Sequence, residues 1–162
     1  MTATPSSADP ELARAPLCAG PDPNPHKPHV VLPPLACDCH AHIFGPRAVY
    51  PYSPKRIYTP PDAPLASYLK LLGVLGVERM VLVQPSVYGT DNRVMVNAMM
   101  ELGPRCRGVA VVDDHVSDAE LERLHAAGVR GVRINVVDVA EDKGVIPMAP
   151  LRRMAERIQP LG

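Results

Sequence analysis

Four short apolar segments alternate with four segments of helical periodicity, and this alternation restricts the fold more than any other feature of the chain. The predicted strands are residues 36–43, 79–83, 108–112 and 129–137, and the predicted helices are residues 65–75, 92–102, 117–127 and 149–158. Strands that alternate with helices of this length form βαβ units with a parallel sheet. Right-handed crossovers then leave two α/β architectures, a doubly wound open sheet and a (β/α)8 barrel.

The prolines set the boundary of the globular part. Nine of the 20 prolines fall within residues 1–35. Because proline fixes φ and lacks an N–H donor, this segment is neither a helix nor an inner strand. We expect residues 1–34 to form a disordered arm and residues 35–162 to form one domain. A second proline cluster in residues 46–64 indicates a long loop, which contains Tyr58.

Charge and hydropathy exclude several classes of partner. Seventeen basic and 17 acidic residues give a formal net charge of zero, which argues against general binding to nucleic acid or to an anionic membrane. No apolar run approaches the roughly 18 residues that span a bilayer, and no secretory signal is visible. We therefore expect a cytoplasmic protein. The four cysteines form no C-x-x-C pair, and we expect them to be buried, reduced thiols.

His40 and His42 form the most specific local pattern. Alternate residues of a strand point to the same face, so both imidazoles would share one face with Asp38, about 6.5–7 Å apart. Two imidazoles at this spacing can converge on one divalent metal, and Asp38 could orient one of them. The alternative is that both histidines bond to neighbouring loops and bind nothing.

Other polar residues follow the remaining strands, at the sheet edge where α/β active sites lie. Arg133 would face into a barrel and needs an anion there, which a substrate carboxylate can supply. A structural ion pair of Arg133 with Asp38 or Asp113 is the alternative. Ser86 can donate to a substrate oxygen, or it is an ordinary junction residue. Tyr58 belongs either to a loop that acts as a lid or to a loop that simply packs on the protein surface.

Residues 37–46, with the sequence CDCHAHIFGP, resemble the first-strand signature of amidohydrolase-related metal-dependent hydrolases. Residues 58–64, 83–92 and 131–135 are further matches, and they narrow the resemblance to the branch of 2-pyrone-4,6-dicarboxylate lactonases and muconolactone hydrolases. The family fold is a (β/α)8 barrel. A full barrel needs about 200–250 residues, so the resemblance implies that the four βα units here are the N-terminal half of one.

The resemblance also implies roles for five residues. His40 and His42 match the pair that ligates or lines the metal site, and Tyr58, Ser86 and Arg133 match positions that hold a dicarboxylate. The implied cofactor is a divalent metal, zinc or manganese, although some relatives work without one. The implied water-activating Asp and a further His belong to later strands, so no catalytic residue is identified in this chain. Residues 137–142 depart from the pattern, with acids in place of a second basic residue.

The function expected from this resemblance is hydrolysis, in which water attacks the carbonyl of a lactone or carboxylate-bearing ring. A metal-dependent decarboxylase and a non-catalytic half-barrel fragment are the alternatives, so whether the chain is itself an enzyme is left open. We expect the isolated chain to be inactive and any metal on the two histidines alone to bind weakly. Because an open four-strand sheet leaves two edges unpaired, its expected protein partner is another copy or a complementary half.

Overall fold

The computed structural model describes residues 14–135 and 148–162 of the chain. Its sheet contains four parallel strands in the order β1-β2-β3-β4, with β1 at Cys37–Ala41, β2 at Arg79–Val83, β3 at Cys106–Ala110 and β4 at Val129–Val132. Successive strands are connected by α1 (Leu65–Leu75), α2 (Arg93–Leu102) and α3 (Asp118–Ala126), and α4 (Met148–Ile158) follows β4. Short 3-10 turns occupy Ser86–Tyr88, Gly103–Arg105 and Gln159–Leu161.

The strand order selects one of the two predicted architectures. A doubly wound sheet reverses its strand order at a switch point, whereas here each strand pairs with the next one along the chain. Right-handed crossovers that always step in the same direction place their helices on one face of the sheet. The α/β prediction is therefore confirmed, and the four described βα units have the winding of a (β/α)8 barrel.

The ends of two helices follow the signals that the sequence contains. Ser117 caps α3, because its Oγ accepts the backbone N–H of Glu120 at 3.1 Å. Gly76 ends α1 in the left-handed conformation, with a φ of 75°, and its N–H donates to the carbonyl of Leu72. Within the described residues, none of the helices has the length and apolar character of a membrane span.

The third strand lies two residues earlier than the sequence predicts. Cys106 is buried and pairs with Met80 of β2, so the ladder begins there. At the other end, the side chain of Asn92 bonds both backbone groups of Val111, which therefore cannot continue the ladder. The fourth strand ends at Val132, and the remainder of its predicted span reaches into residues outside the described part.

The core lies between the middle strands and α2. Met80 and Leu82 of β2 and Met95 and Met99 of α2 are each at most 2% exposed. Gly108 of β3 permits this close packing, because a Cβ at its position would lie 2.5 Å from Sδ of Met99. The centre of the described sheet is thus covered by a helix, while β1 and β4 are its edge strands.

The described part of the predicted arm is attached to the domain. Residues 15–34 contain no helix and pair with the domain at a single bridge, as expected from their prolines. Four hydrogen bonds of 2.8–3.0 Å nevertheless hold them: Thr59 N–H to the carbonyl of Pro16, Thr59 Oγ1 to the carbonyl of Ala15, Cys18 N–H to the carbonyl of Thr59, and Lys70 Nζ to the carbonyl of Pro23. Because these backbone groups find partners on the domain, this part is not the free segment that composition predicts. Residues 1–13 lie outside the description.

The prediction of buried thiols is correct for one cysteine only. Cys106 is buried, and burial raises the pKa of its thiol to about 11. The thiols of Cys18, Cys37 and Cys39 are free but exposed. Cys37 and Cys39 belong to the edge strand β1 and Cys18 to the arm, so in the described part of the chain they lie outside the core.

Candidate functional site

A bulge in β1 decides which side chains share a face. Asp38 pairs with Met80 and Ala41 pairs with Leu82, so three steps along β1 correspond to two steps along β2. Since side chains alternate along a strand, the extra residue turns Asp38 and Ala41 to the same face of the sheet. That face packs against the helices, and the two histidines that flank Ala41 point to the opposite face.

The bulge therefore turns the side chain of Asp38 away from the predicted histidine face, although Asp38 still borders the same cavity as both imidazoles. Its carboxylate accepts the hydroxyl of Tyr68 on α1 at 2.9 Å and the backbone N–H of His40 at 3.0 Å. Burial raises the pKa of Tyr68, and the bond to Asp38 raises it further, so this hydroxyl keeps its proton. Asp38 thus fixes the backbone of β1 at His40 and does not orient an imidazole.

His40 and His42 lie side by side at the carboxyl end of β1, as the sequence predicts. Their ring centroids are 5.0 Å apart and their planes cross at 81°. His40 is exposed, whereas His42 is half-buried and its Nδ1 lies 2.6 Å from the carbonyl oxygen of Val83. A carbonyl oxygen only accepts hydrogen bonds, so Nδ1 of His42 carries the proton and Nε2 keeps its lone pair.

The surroundings of His42 favour its neutral form. Burial lowers the pKa of His42, the bond to Val83 opposes that effect, and the nearby His40 and Arg133 lower it further. The imidazole is therefore neutral at pH 7. A neutral imidazole with a free Nε2 can ligate a metal or accept a proton.

Arg133 follows β4 and reaches the end of β2. Its Nη1 donates to the carbonyl of Gln84 at 3.3 Å. Gln84 comes directly after Val83, whose carbonyl holds His42. Both groups thus bond to the chain at the carboxyl end of β2, and Arg133 lies close enough to His42 to lower the pKa of its imidazole.

The acids that could neutralise Arg133 bind other groups. Asp38 is held by Tyr68, and Asp113 accepts the backbone N–H of His115 at 2.9 Å. In the described part of the chain, the ion pairs involve other arginines, namely Arg93, Arg123, Arg153 and Arg157. Arg133 thus has N–H groups available for an anion from outside this part of the chain.

Ser86 and Tyr58 come together although 28 positions separate them. Ser86 Oγ donates to the hydroxyl of Tyr58 at 3.4 Å, which ties the long loop to the end of β2. Ser86 also lines one cavity with Arg133, Asn135 and Lys55. Lys55, which no sequence pattern identified, adds a positive charge at this cavity, and Asp113 and Asp114 add two negative charges.

The two histidines line a different cavity from Ser86 and Arg133. Its other walls include Asp38, Phe44, Tyr68 and six residues of the arm, namely Ala19, Gly20, Pro21, Asp22, Pro23 and Pro25. The five predicted site residues therefore form two groups, one around the imidazoles and one around the guanidinium. The end of β2 links them, because it bonds to a member of each group.

Gln84 is a supporting residue that the sequence marks only as a polar position in an apolar run. It is fully buried, and its Nε2 donates to the carbonyl of Asp91 at 2.5 Å, while its Oε1 has no partner within the described residues. These contacts fix the peptide whose carbonyl holds Arg133. The acidic stretch at residues 137–142, by contrast, lies outside the described residues.

The histidine pair supplies part of a metal site. Zinc sites use three or four protein ligands, and the described residues contain no group of three or more His, Cys, Asp or Glu that could hold a metal ion. His40 and the free Nε2 of His42 would therefore provide two ligands of a larger set. A metal bound there would polarise a carbonyl or lower the pKa of a bound water.

Zinc is expected to bind this chain weakly, because the described residues offer two imidazoles where zinc sites use three or four protein ligands. His40→Ala leaves one ligand and should weaken the affinity at least about tenfold, or 1.4 kcal/mol. Calorimetric titration measures both, and His115→Ala, which removes an exposed imidazole elsewhere, is the matched control. Equal heats for wild type and His40→Ala would contradict the assignment.

Comparison with known proteins identifies the family of the chain. The family profile described as amidohydrolase matches residues 37–162. A 2-pyrone-4,6-dicarboxylate hydrolase from Comamonas testosteroni is 48% identical over 86% of this chain and 45% of its own length. A 4-sulfomuconolactone hydrolase from Rhizobium radiobacter is 44% identical over 76% of this chain and 41% of its own length.

A solved structure shows the same relationship. The probable 2-pyrone-4,6-dicarboxylic acid hydrolase from Acinetobacter baumannii, with citric acid bound, superposes with a TM-score of 0.68 at 30% identity. The superposition covers 78% of this chain and 46% of that one. The chain thus spans a little less than half the length of these relatives. Because the profile match includes every strand and helix of the domain, the chain belongs to the amidohydrolase family.

Proposed function

We propose that this chain supplies the first half of an active site that hydrolyses a lactone bearing a carboxylate. The observation that carries the proposal is that a neutral His42 and Arg133 both bond to backbone carbonyls at the carboxyl end of β2, those of Val83 and Gln84, where Arg133 lowers the pKa of His42. These groups suit the two ends of such a substrate, a carbonyl to be polarised and a carboxylate to be bound. The hydrolase relatives are named for 2-pyrone-4,6-dicarboxylate and 4-sulfomuconolactone, which are both lactones.

In this proposal each residue has a separate task. Arg133 binds a carboxylate through its planar fork. The hydroxyl of Tyr58, which Ser86 orients by donating to it, donates to a second substrate oxygen. His40 and His42 hold a metal or polarise the lactone carbonyl directly. Water adds to that carbonyl, the acyl–oxygen bond breaks, and the ring opens to a carboxylic acid and a hydroxyl group. Zinc or manganese is the proposed metal, and the cytoplasm is the proposed location.

Arg133→Met is expected to weaken the binding of 2-pyrone-4,6-dicarboxylate at least about tenfold, or 1.4 kcal/mol. The substitution removes the guanidinium but keeps a side chain of similar length. Calorimetry measures the affinity. Arg107→Met is the matched control, because the Arg107 guanidinium bonds to Pro104 and Cys106 at the amino end of β3, away from the site.

The comparison distinguishes a specific contact from general charge attraction. If Arg107→Met weakens binding as much as Arg133→Met, overall positive charge accounts for the affinity and the proposed role of Arg133 is wrong. If neither variant nor wild type binds the dicarboxylate, the proposed substrate class is wrong. Citrate serves as a second probe, since the Acinetobacter relative holds citric acid.

A further inference from the structure

Residues 19–25 of the arm cross the histidine cavity between two fixed points. On one side Thr59, which is 3% exposed, bonds the arm through its backbone and through Oγ1, which donates to the carbonyl of Ala15 at 2.8 Å. On the other side Lys70 of α1 donates from Nζ to the carbonyl of Pro23 at 2.8 Å. The segment between these points lines the same cavity as the two imidazoles.

Lys70 provides the hydrogen bond that attaches this segment to the domain. Pro21, Pro23 and Pro25 remove three N–H donors from it, so no sheet ladder can hold it. The hydrogen bond at Asn24 is local, from its N–H to the carboxylate of Asp22 at 2.8 Å. Within the described residues, the bond from Lys70 is the hydrogen bond that joins this segment to the domain.

The bond from Lys70 has the character of a reversible contact. Lys70 is exposed, so water competes for its ammonium group and for the Pro23 carbonyl. The rest of the attachment is van der Waals contact: a Cβ placed on Gly20 would lie 3.3 Å from Cγ of Pro61, which shows how closely the segment approaches the loop. A bulky side chain at position 20 would therefore push the segment away from the loop.

We propose that residues 19–25 form a latched wall of the histidine cavity, and that the Lys70–Pro23 bond is the latch. When the latch is made, the wall limits access to the imidazoles from the side of the arm. When it breaks, the segment moves away while Thr59 keeps it attached at its other end. This proposal concerns access to His42 and holds whatever the substrate of the site is.

Lys70→Met tests the latch, because it removes the donor and keeps most of the side-chain length. The readout is the rate at which diethyl pyrocarbonate modifies His42, followed by mass spectrometry at pH 7. The reagent attacks an unprotonated imidazole nitrogen, which is the form that His42 presents. The expected result is a rate at His42 about threefold higher than in wild type, with an unchanged rate at His125, which lies in α3 and lines a different cavity.

Three further variants complete the test. Gly20→Val should raise the His42 rate as well, because it displaces the same segment by a different contact. Lys70→Arg keeps a donor and should give the wild-type rate. Lys27→Met removes an exposed arm charge and should also leave the rate unchanged. Unchanged His42 rates in both Lys70→Met and Gly20→Val would overturn the proposal, and so would an equal rise at His125, which would indicate general loosening.

Discussion

Asn92→Ala is expected to lower the free energy of unfolding by about 3 kcal/mol, because it leaves partly buried backbone groups, above all both of Val111, without partners. Asn92 is 6% exposed. Its Nδ2 donates to the carbonyls of Val111 at 2.8 Å and of Thr90 at 3.0 Å, and its Oδ1 accepts the N–H of Val111 at 3.0 Å. Each buried group left unpaired costs about 1–3 kcal/mol.

The matched control is Asn97→Ala, one turn further along the same helical region. Asn97 is exposed, and its Nδ2 donates to the hydroxyl of Tyr50 at 2.8 Å. Water can replace that contact, so the loss should stay below about 1 kcal/mol. Urea denaturation measures both variants, with the slope m expected to stay constant. A loss at Asn92 no greater than the loss at Asn97 would show that the Val111 bonds do not stabilise the fold.

Sequence patterns located the central elements accurately because local chemistry determines them. Leu65–Leu75 has leucines at helical spacing with Gly76 after it, and the observed helix has the predicted bounds. Arg79–Val83 is an apolar run that ends at a polar residue and a proline, and the observed strand also has the predicted bounds. In both cases the stop signal lies next to the element in sequence.

The errors occurred where a distant residue decides the local structure. β3 ends early because Asn92, 19 positions away, takes up the backbone groups of Val111. The bulge in β1 arises from its register against β2, so alternation alone placed Asp38 on the wrong face. The arm is held by Thr59, some 40 positions along the chain. None of these contacts leaves a periodic signal.

The side chains of the candidate site could be predicted from the sequence, but the backbone groups that orient them could not. Period two identified His40 and His42, and the positions of Ser86 and Arg133 after apolar runs placed them at the same sheet edge. The groups that orient His42 and Arg133 are the backbone carbonyls of β2. Every residue has such a carbonyl, so sequence cannot show which ones serve the site.

A polypeptide of these 162 residues alone is expected to hydrolyse 2-pyrone-4,6-dicarboxylate at least about 1,000-fold more slowly than a completed barrel. The reason is that the described residues offer no free proton acceptor for the attacking water. General bases contribute about 100- to 10,000-fold, and the two carboxylates that line the histidine cavity in the described part of the chain bind other groups: Asp38 bonds to Tyr68, and Asp22 bonds to the N–H of Asn24. His42 is neutral, but the proposed function uses its Nε2 to hold a metal or polarise the carbonyl.

The experiment compares the 162-residue polypeptide with a fusion that continues into the remaining part of the Comamonas hydrolase, of which this chain matches 45%. We expect turnover in the fusion and none above background in the shorter polypeptide. His42→Ala in the fusion should abolish turnover, whereas His115→Ala should not. Equal turnover by both polypeptides would contradict the claim that the proton acceptor is missing, and an inactive but folded fusion would contradict the proposed function.

The same pair of polypeptides tests whether the edge strands of the sheet cause association. Within the described residues β1 and β4 are edge strands, and their unpaired N–H and carbonyl groups favour association. Light scattering should therefore give the shorter polypeptide a molar mass of several chains. The fusion should form smaller assemblies relative to the mass of one chain, because closing the barrel removes both edges. A monomeric shorter polypeptide would mean that its edges are protected within this chain, and association could then not explain any loss of turnover.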